Sequence, residues 1–323
     1  MTIRVFIQTG VFQGGPAVFR SRLIKSFKKI DDIKVVKNVN EKFDIELAFI
    51  RQVYEHDKPY ILRADGCYYE ENRKNLNKNI KEAMKKARYI IFQSESSFKL
   101  CDHVLGIEEK MKERGIGHSI IHNGIDLEYI KKIKPAKDVA PGSFITCAGW
   151  RPNKRPNSTI EGFIRADTGR YLYIIGEEGF SKGQKISKNY WEQRSKYIKV
   201  LGKRKNKEII SIMKTCSYQL HLCHIDSCPN AVIEGLSCGL NVLYTNLGGT
   251  YELVKENGVV LNVDKPWKTK YMKSTNLDNI SPDIVAEGIH KLLKMKERSK
   301  RKDLDIDEVA KEYANVIKKV WNV

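Results

Sequence analysis

The stretch that decides the fold is DSCPNAVIEGLSCG, Asp226 to Gly239. The run before it, CSYQLHLCHI, alternates apolar with polar or aromatic residues, as a strand does. Pro229 then stands where proline favours the first turn of a helix, and a glycine at the end supplies the stop. A second strand, Val242 to Thr245, follows at once. The segment is therefore predicted to form a strand, a helix and a strand, with Asp226 at the mouth and Glu234 inside the helix.

The two carboxylates suit a hydroxyl-rich ligand. Open α/β sheets bind ligands at the carboxyl ends of their strands, where Asp226 can accept hydrogen bonds from sugar hydroxyls. Glu234 can accept from both hydroxyls of a diol, such as that of a ribose. The helix N-terminus, with the amides around Pro229, Asn230 and Ala231, favours negative charge. The alternative is an ordinary exposed helix face, on which carboxylates are common.

Length and composition predict a soluble protein of two domains. A chain of 323 residues suits two domains of roughly 150 residues each. It is 41% hydrophobic and 30% charged, and no apolar run approaches the roughly 20 residues of a membrane span. The start, MTIRVFIQTG, is typical of a first strand rather than of a signal peptide. The seven cysteines form no CxxC pair, which favours reduced thiols and a cytoplasmic location.

The formal net charge of +19 permits nucleic acid, an anionic membrane or phosphorylated ligands as partners. The alternative is a solvated lysine-rich surface. Zinc-finger spacing, an aromatic and basic RNP run and heptads under a basic region are all absent, so nucleic acid is not the expected partner. Basic helices at Ser21 to Lys29 and Lys81 to Lys86 could bring the chain to an anionic membrane.

The first half alternates strands with helices. Strands are predicted near residues 3–7, 34–37, 43–49, 60–63, 87–92 and 118–122. Helices are predicted at 17–29, 75–86 and 98–114, the last started by Ser94 or Ser96. Gly14 and Gly15 precede the first helix, which suits phosphate but equally a tight turn. Asp65 follows the strand near 60–63, either in the ligand position or as part of a turn dipeptide. The pattern favours a parallel, doubly wound sheet.

A lysine-rich linker at 131–141 leads to a second alternating half, with strands near 143–148, 171–175, 197–201 and 259–263. The strand at 143–148 runs into GWRPNKRPN, which places Arg151, Lys154 and Arg155 beyond its end. These cations could hold a diphosphate, Arg by a fork and Lys as a point charge. The alternative is a solvated basic loop. Asn206 is predicted to cap a helix, and a terminal helix places Val309, Tyr313, Val316, Ile317 and Val320 on one face.

The region 221–228 also carries metal-ligand residue types, namely His221, Cys223, His224 and Cys228. Strand alternation points His221 and Cys223 the same way and His224 the other. Because no CxxC spacing supports four convergent ligands, we predict no metal.

The run HIDSCPNAVIEGLSCGLNVLYTNLGGTYELV resembles the nucleotide-sugar signature of the GT-B glycosyltransferases, most closely glycosyltransferase family 4. QGGPAVF, HNGID, AGWRPNKRP and LGKRKNKEI resemble, in order, the family's N-terminal glycine loop, inter-domain signature, diphosphate loop and base-flanking segment. The chain departs from the pattern at Asp226, where the family usually has Glu, and at Asn241, where it usually has Pro.

The resemblance implies two Rossmann-like domains facing across a cleft, with a C-terminal helix that crosses back to the first. The implied domains are 1–135, joined by the helix at about 307–323, and 142–306. It also implies a retaining, cofactor-free and metal-independent transfer of a hexose from a UDP- or GDP-sugar to a glycan or lipid-linked acceptor. Two competing hypotheses are a non-catalytic basic protein that binds nucleic acid or nucleotide-sugar, and a degenerate transferase fold that binds sugars without transfer.

By the same resemblance, Glu234 would bind the donor ribose and Asp226 the transferred sugar. Asp65 would contact the reacting sugar or the acceptor hydroxyl. The diphosphate would lie among cations and amides from several loops: Gly14, Gly15, Arg151, Lys154, Arg155, Pro229, Asn230 and Ala231.

Overall fold

The computed structural model describes residues 1–8, 14–177, 179–181, 184–265, 270–272, 279–296 and 301–322. The chain divides into two compact units. The first comprises Met1–Asp126, Trp267–Asn276 and Asp303–Val323, and the second comprises Leu127–Pro266 and Leu277–Lys302. Among the described residues, no helix is long and apolar enough to cross a membrane.

The first unit is built on a parallel sheet of six strands. They are β1 (Ile3–Phe6), β2 (Ile33–Val36), β3 (Ile45–Phe49), β4 (Tyr60–Ala64), β5 (Tyr89–Phe92) and β6 (Gly117–Ile120). The helices are α1 (Gly15–Phe27), α2 (Asn77–Lys86), α3 (Glu95–Leu105) and α4 (Glu108–Glu113). The order across the sheet is β2-β1-β3-β4-β5-β6, and it reverses between β1 and β3. Ligands of such sheets bind at the carboxyl ends of the strands beside that reversal.

The helix predicted at 98–114 is two helices, so that prediction was wrong. Gly106 adopts a φ of +61°, and its N–H closes α3 on Asp102 O at 2.7 Å before α4 begins. A glycine in the left-handed region ends a helix even where apolar spacing continues past it. Ser94 does cap α3, because its Oγ accepts from Ser97 N at 3.0 Å.

One carboxylate lies inside the first sheet. Glu46 in β3 is 1% exposed, and its Oε2 lies 2.8 Å from His56 Nε2. Gln52 Nε2 donates to the same oxygen at 3.2 Å. Burial raises the pKa of Glu46, although the neighbouring imidazole opposes that shift. This carboxyl is therefore harder to ionise in the folded chain than in water.

The second unit carries another parallel six-stranded sheet. Its strands are β7 (Phe144–Cys147), β8 (Leu172–Ile175), β11 (Ile198–Gly202), β12 (Tyr218–His221), β13 (Asn241–Thr245) and β14 (Gly258–Leu261). An antiparallel pair, β9 (Gly179–Ser181) and β10 (Gln184–Ile186), forms a separate small sheet. The helices are α5 (Leu127–Lys132), α6 (Pro156–Ala166), α7 (Lys188–Arg194), α8 (Asn206–Met213), α9 (Asn230–Cys238), α10 (Thr250–Val254) and α11 (Pro282–Leu293). The order β11-β8-β7-β12-β13-β14 reverses between β7 and β12.

The C-terminal helix, α12 (Ile306–Trp321), belongs to the first unit, as predicted. Asp305 caps it, since its carboxylate accepts from Asp307 N at 3.2 Å. The apolar face that the sequence spacing predicted for this helix is buried. The centre of the Tyr313 ring lies 5.8 Å from the centre of the Phe19 ring in α1. Residues of β1 and α12 thus pack in the same hydrophobic core of the first unit.

Candidate functional site

Three loops lie side by side at the carboxyl edge of the second sheet. β7 and β12 are neighbours at the reversal of strand order, which is the position where such sheets bind ligands. The loop after β7 carries Lys154, the loop after β12 carries Asp226, and the loop after β13 carries Gly248. His224 N donates to Asn153 O at 2.8 Å, which ties the first two loops together.

The loop after β13 presses against the backbone of Asp226. Gly248 adopts a φ of +89°, and a Cβ there would lie 2.6 Å from Asp226 O and 2.7 Å from Asp226 N. The next residue, Gly249, donates its N–H to Asp226 O at 2.8 Å. Because only glycine accommodates both the torsion and the close approach, this loop fixes where Asp226 lies.

The side chains of Lys154 and Asp226 form an ion pair, with Nζ donating to Oδ2. They are 12% and 21% exposed. Burial alone would lower the pKa of Lys154, but the nearby Asp226 and Cys223 outweigh burial and raise it. Burial alone would raise the pKa of Asp226, but the charge of Lys154 outweighs it and holds that pKa below its usual range. Both groups are therefore charged at neutral pH, and the carboxylate is neutralised by its partner.

His221 and Cys223 lie beneath this pair. His221 Nε2 is 3.7 Å from Asp226 Oδ2, and burial is the main cause that lowers the pKa of the imidazole to about 4. Cys223 donates its thiol to Ile225 O at 3.2 Å, and burial raises its pKa to about 11. Both side chains are therefore neutral at pH 7. One nitrogen, one sulfur and one oxygen of His221, Cys223 and Asp226 lie within 4.8 Å of one another.

Arg155 takes part in a different network. It is 4% exposed, and its guanidinium forks onto Asp264, with Nη1 2.8 Å from Oδ2. His224 Nδ1 lies 2.8 Å from the same carboxylate. Burial opposes ionisation of Asp264, but hydrogen bonds from Arg155 and His224 outweigh it and lower its pKa. Of the three cations predicted for the diphosphate, Lys154 lies beside Asp226, Arg151 is exposed, and Arg155 is bound in this buried pair.

Glu234 is the fifth residue of α9 and is 6% exposed. Asn206, the first residue of α8, donates Nδ2 to Glu234 Oε1 at 2.9 Å. The prediction that Asn206 caps α8 was wrong, because Lys205 holds the N-cap position there. The side chain of Asn206 instead fixes the orientation of a carboxylate 28 residues away. Sequence spacing carried no signal for this contact.

The N-terminus of α9 lies in the same loop as Asp226. Pro229 is the N-cap residue and makes no side-chain cap, while Asn230 and Ala231 form the first turn. The first amides of a helix have no acceptor within the helix, so this end attracts anions. The predicted strand, helix and strand are confirmed, with Gly239 at a φ of 91° ending the helix.

In the first unit, Asp65 lies in a polar network after β4. Its carboxylate pairs with Arg63 and accepts from Gln93 Nε2 at 2.7 Å. Arg63 is 1% exposed and donates to Asn123 Oδ1 at 2.6 Å. Its guanidinium lies 4.4 Å from the centre of the Phe19 ring. The position of Asp65 is thus fixed by buried neighbours, and its part in the reaction stays a prediction.

The glycine loop of the first unit is described from Gly14 onward, and its residues 9–13 lie outside the described residues. Gly14 has a φ of 73° and caps α1, and Gly15 is the first residue of that helix. The helix therefore starts two residues before the predicted Ala17. A phosphate-binding role for this helix start stays a prediction.

Comparison with known proteins assigns the family. The profile of the family described as glycosyl transferases group 1 matches residues 131–306, more than half of the 323 residues. The chain belongs to the group 1 glycosyl transferases. The predicted resemblance to this family is confirmed.

One sequence relative matches part of the chain, and two solved structures match its fold. An uncharacterized glycosyltransferase of Methanocaldococcus jannaschii is 24% identical over 186 residues, which are 56% of this chain and 50% of the relative. The chain thus spans about half the length of that relative. HepE of Anabaena, solved with UDP-glucose, matches with a TM-score of 0.60 at 13% identity, covering 98% of this chain and 100% of HepE. Sucrose-phosphate synthase of Thermosynechococcus elongatus matches with a TM-score of 0.63 at 10% identity, covering 99% of both chains. The predicted GT-B fold, with its two Rossmann-like domains, is confirmed.

Proposed function

We propose that this glycosyltransferase transfers a hexose from a UDP- or GDP-linked donor to a glycan or lipid-linked acceptor, with retention of configuration. The observation that carries the proposal is the pair of carboxylates at one sheet edge. Asp226 is paired with a buried ammonium, and Glu234 is oriented by Asn206. A nucleoside diphosphate sugar presents hydroxyls and an anion to match both.

The nucleoside part of the donor would bind at Glu234. A carboxylate can accept from both hydroxyls of a ribose, and Asn206 holds Glu234 in place by donating to its Oε1. A charge-assisted hydrogen bond of this kind is roughly twice as strong as a neutral one. HepE, whose structure was solved with UDP-glucose, has the same fold and gives independent support for a UDP-sugar.

The diphosphate would bind between the cations and the start of α9. Lys154 and Arg151 stand on one loop, and the first amides of α9 stand on the next. When a phosphate takes Lys154, Asp226 loses its partner and can accept from a sugar hydroxyl instead. As the bond to the sugar breaks, negative charge grows on the departing phosphate, where fixed cations and a helix dipole stabilise it. The residues present thus supply this stabilisation, and we propose that transfer needs no divalent metal.

A panel of nucleotide-sugars screened by thermal shift tests the donor. A ligand present at about 100 times its Kd stabilises the folded chain by roughly 2.7 kcal/mol. We expect one UDP- or GDP-sugar to raise Tm, and Glu234→Gln to abolish that rise. Glu287→Gln is the matched control, since Glu287 is an exposed carboxylate on α11. The site assignment fails if the two variants respond alike.

Product analysis tests the reaction. Incubation with the selected donor and an acceptor panel should release nucleoside diphosphate, and NMR of the new glycosidic bond should show the donor's anomeric configuration. Inverted product would refute retention. Donor binding without release of any sugar would instead support a degenerate transferase.

We propose a cytoplasmic enzyme that reaches a lipid-linked acceptor by peripheral contact with an anionic membrane. All seven cysteines are free thiols, which suits a reducing compartment. Part of the predicted basic surface is already paired, since Lys25 contacts Asp126 and Lys29 contacts Asp307, each at 2.6 Å. The contact would thus rely on the other basic residues, and co-sedimentation with vesicles should rise with anionic lipid content. Binding that ignores lipid charge would refute the contact.

A further inference from the structure

The His221, Cys223 and Asp226 side chains form a cluster of three different ligand types. Their Nε2 or Nδ1, Sγ and carboxylate atoms all lie within 4.8 Å of one another. His221 ends β12 and Cys223 follows two residues later, so alternation turns both to the same side. Bonds of about 2.0–2.3 Å from zinc to such ligands put neighbouring ligand atoms roughly 3.3–3.8 Å apart. The three atoms need to approach by only about an ångström to reach that spacing.

One atom of this cluster is short of a partner. His221 Nε2 is buried and makes no hydrogen bond to any part of the chain that the structure describes. The whole residue is 7% exposed, and its side chain 6%. Buried ring nitrogens nearly always have a hydrogen-bond partner or a metal, because an unpartnered one has lost its water. A neutral imidazole is also the form that binds metals.

The cluster already surrounds a positive charge. Lys154 Nζ donates to Asp226 Oδ2, and its positive charge partly opposes the burial that raises the pKa of Cys223. The ammonium of the loop after β7 thus lies beside the carboxylate of the loop after β12. A divalent cation bound by the Asp226 carboxylate, the Cys223 sulfur and His221 Nε2 would compete directly with the ammonium of Lys154.

The sequence spacing argued against four convergent ligands, but the structure groups three. We propose that His221, Cys223 and Asp226 bind a borderline divalent metal such as zinc, which displaces the ammonium of Lys154. The imidazole, thiolate and carboxylate set suits zinc, whereas magnesium and calcium prefer oxygen ligands. On binding, the Cys223 thiol gives its proton to solvent, the sulfur–metal bond forms, and Lys154 leaves with its proton. If the proposed function is right, the metal inhibits transfer, because it removes Asp226 and Lys154 from the donor at once.

Zinc titration of the whole chain, followed with a chromogenic chelator as competitor, measures the site directly. Cys223→Ser and His221→Gln should weaken binding by more than the roughly 10–100-fold that loss of a supporting second-shell group costs. Lys154→Met should tighten it by about tenfold, because the competing charge is gone. Cys67→Ser, which removes a half-exposed thiol of the first unit, is the control and should change nothing. Circular dichroism and Tm check that each variant is folded.

Cobalt supplies a readout that does not depend on activity. Co²⁺ bound by Cys223 should give a thiolate charge-transfer band that Cys223→Ser lacks and Cys67→Ser keeps. Equal zinc affinity in the Cys223→Ser variant and the parent would overturn the site and indicate an adventitious ion only. Unchanged affinity in Lys154→Met would overturn displacement.

Enzyme assays separate this inference from the proposed function. Zinc should inhibit transfer by the parent, magnesium should not, and chelator should restore the rate. Tight zinc binding without inhibition would refute the blocking role while the metal site stands. Absence of transfer from every donor in metal-free buffer would instead count against the proposed function, since zinc affinity is measured separately.

Discussion

Replacement of Gly248 by alanine tests whether the loop after β13 fixes Asp226. A left-handed torsion costs a non-glycine residue roughly 1–2 kcal/mol. At Gly248 the new Cβ would also lie 2.6 Å from Asp226 O and 2.7 Å from Asp226 N, and both are backbone atoms that cannot turn away. Backbone shifts forced by an inserted methyl cost about 1–3 kcal/mol more. We therefore expect Gly248→Ala to destabilise the chain by about 2–5 kcal/mol.

Gly169 supplies the matched control in the same unit. It has a φ of +69°, but a Cβ there would meet nothing within 4 Å. Gly169→Ala should thus show the torsional cost alone, about 1–2 kcal/mol. The difference between the two variants isolates the close approach, and thermal unfolding followed by circular dichroism measures it.

Donor affinity provides the second readout. Gly248→Ala displaces the residue proposed to hold the sugar, so it should weaken donor binding measured by calorimetry, whereas Gly169→Ala should not. Equal losses of Tm in the two variants would refute the steric reasoning. If Gly248→Ala loses the expected stability of about 2–5 kcal/mol but keeps its donor affinity, the link between this loop and Asp226 is refuted.

Three further substitutions probe the buried polar groups. Asn206→Ala removes the hydrogen bond that orients Glu234, so calorimetry should show weaker donor binding, and the folded chain should lose about 1.5–3 kcal/mol of stability. Arg155→Ala leaves the buried Asp264 carboxylate with His224 but without its cation, which should cost about 3–5 kcal/mol in a denaturant titration. Relative to the parent, Glu46→Gln should stabilise the chain increasingly as pH rises above about 4.3, the unfolded pKa of a Glu carboxyl. The raised pKa of Glu46 means that its favourable contribution exists below its unfolded value of about 4.3 and is lost as pH rises through the folded value.

Each of these has an outcome that contradicts it. Donor affinity unchanged in Asn206→Ala would mean that Glu234 needs no orientation. Arg151→Ala, at an exposed position, should weaken donor binding without loss of stability, so equal stability in the Arg151 and Arg155 variants would contradict the buried pair. A pH-independent difference between Glu46→Gln and the parent would show that Glu46 ionises equally in both states.

The local sequence predicted the strand, helix and strand around Asp226 because each boundary has a nearby cause. Pro229 stands at the helix start and Gly239 in the left-handed region at its end. The same reasoning failed at Gly106, where apolar spacing beyond the glycine suggested one helix instead of two. A break of this kind depends on whether a glycine adopts its left-handed torsion, which periodicity does not reveal.

The contacts within the site could not be predicted from the sequence, because they join residues that are far apart along the chain. Arg155 and Asp264 are 109 residues apart, and Lys154 and Asp226 are 72 residues apart. Which of two adjacent cations faces Asp226 depends on the left-handed torsion of Arg155, with a φ of 47°. The sequence therefore supplied candidate residues, and the strand order decided which of them meet.

The C-terminal helix has a consequence for the order of folding. Synthesis proceeds from the N-terminus at about 5–20 residues per second. The core of the first unit includes Tyr313 and Ile317, whereas the second unit is complete at Lys302. The core around Phe19 therefore cannot form until α12 has been synthesised, whereas the second unit can fold before that. A nascent chain that pauses before α12 would carry a finished second unit beside an unfinished first one, whose exposed apolar face is the surface most in need of a chaperone.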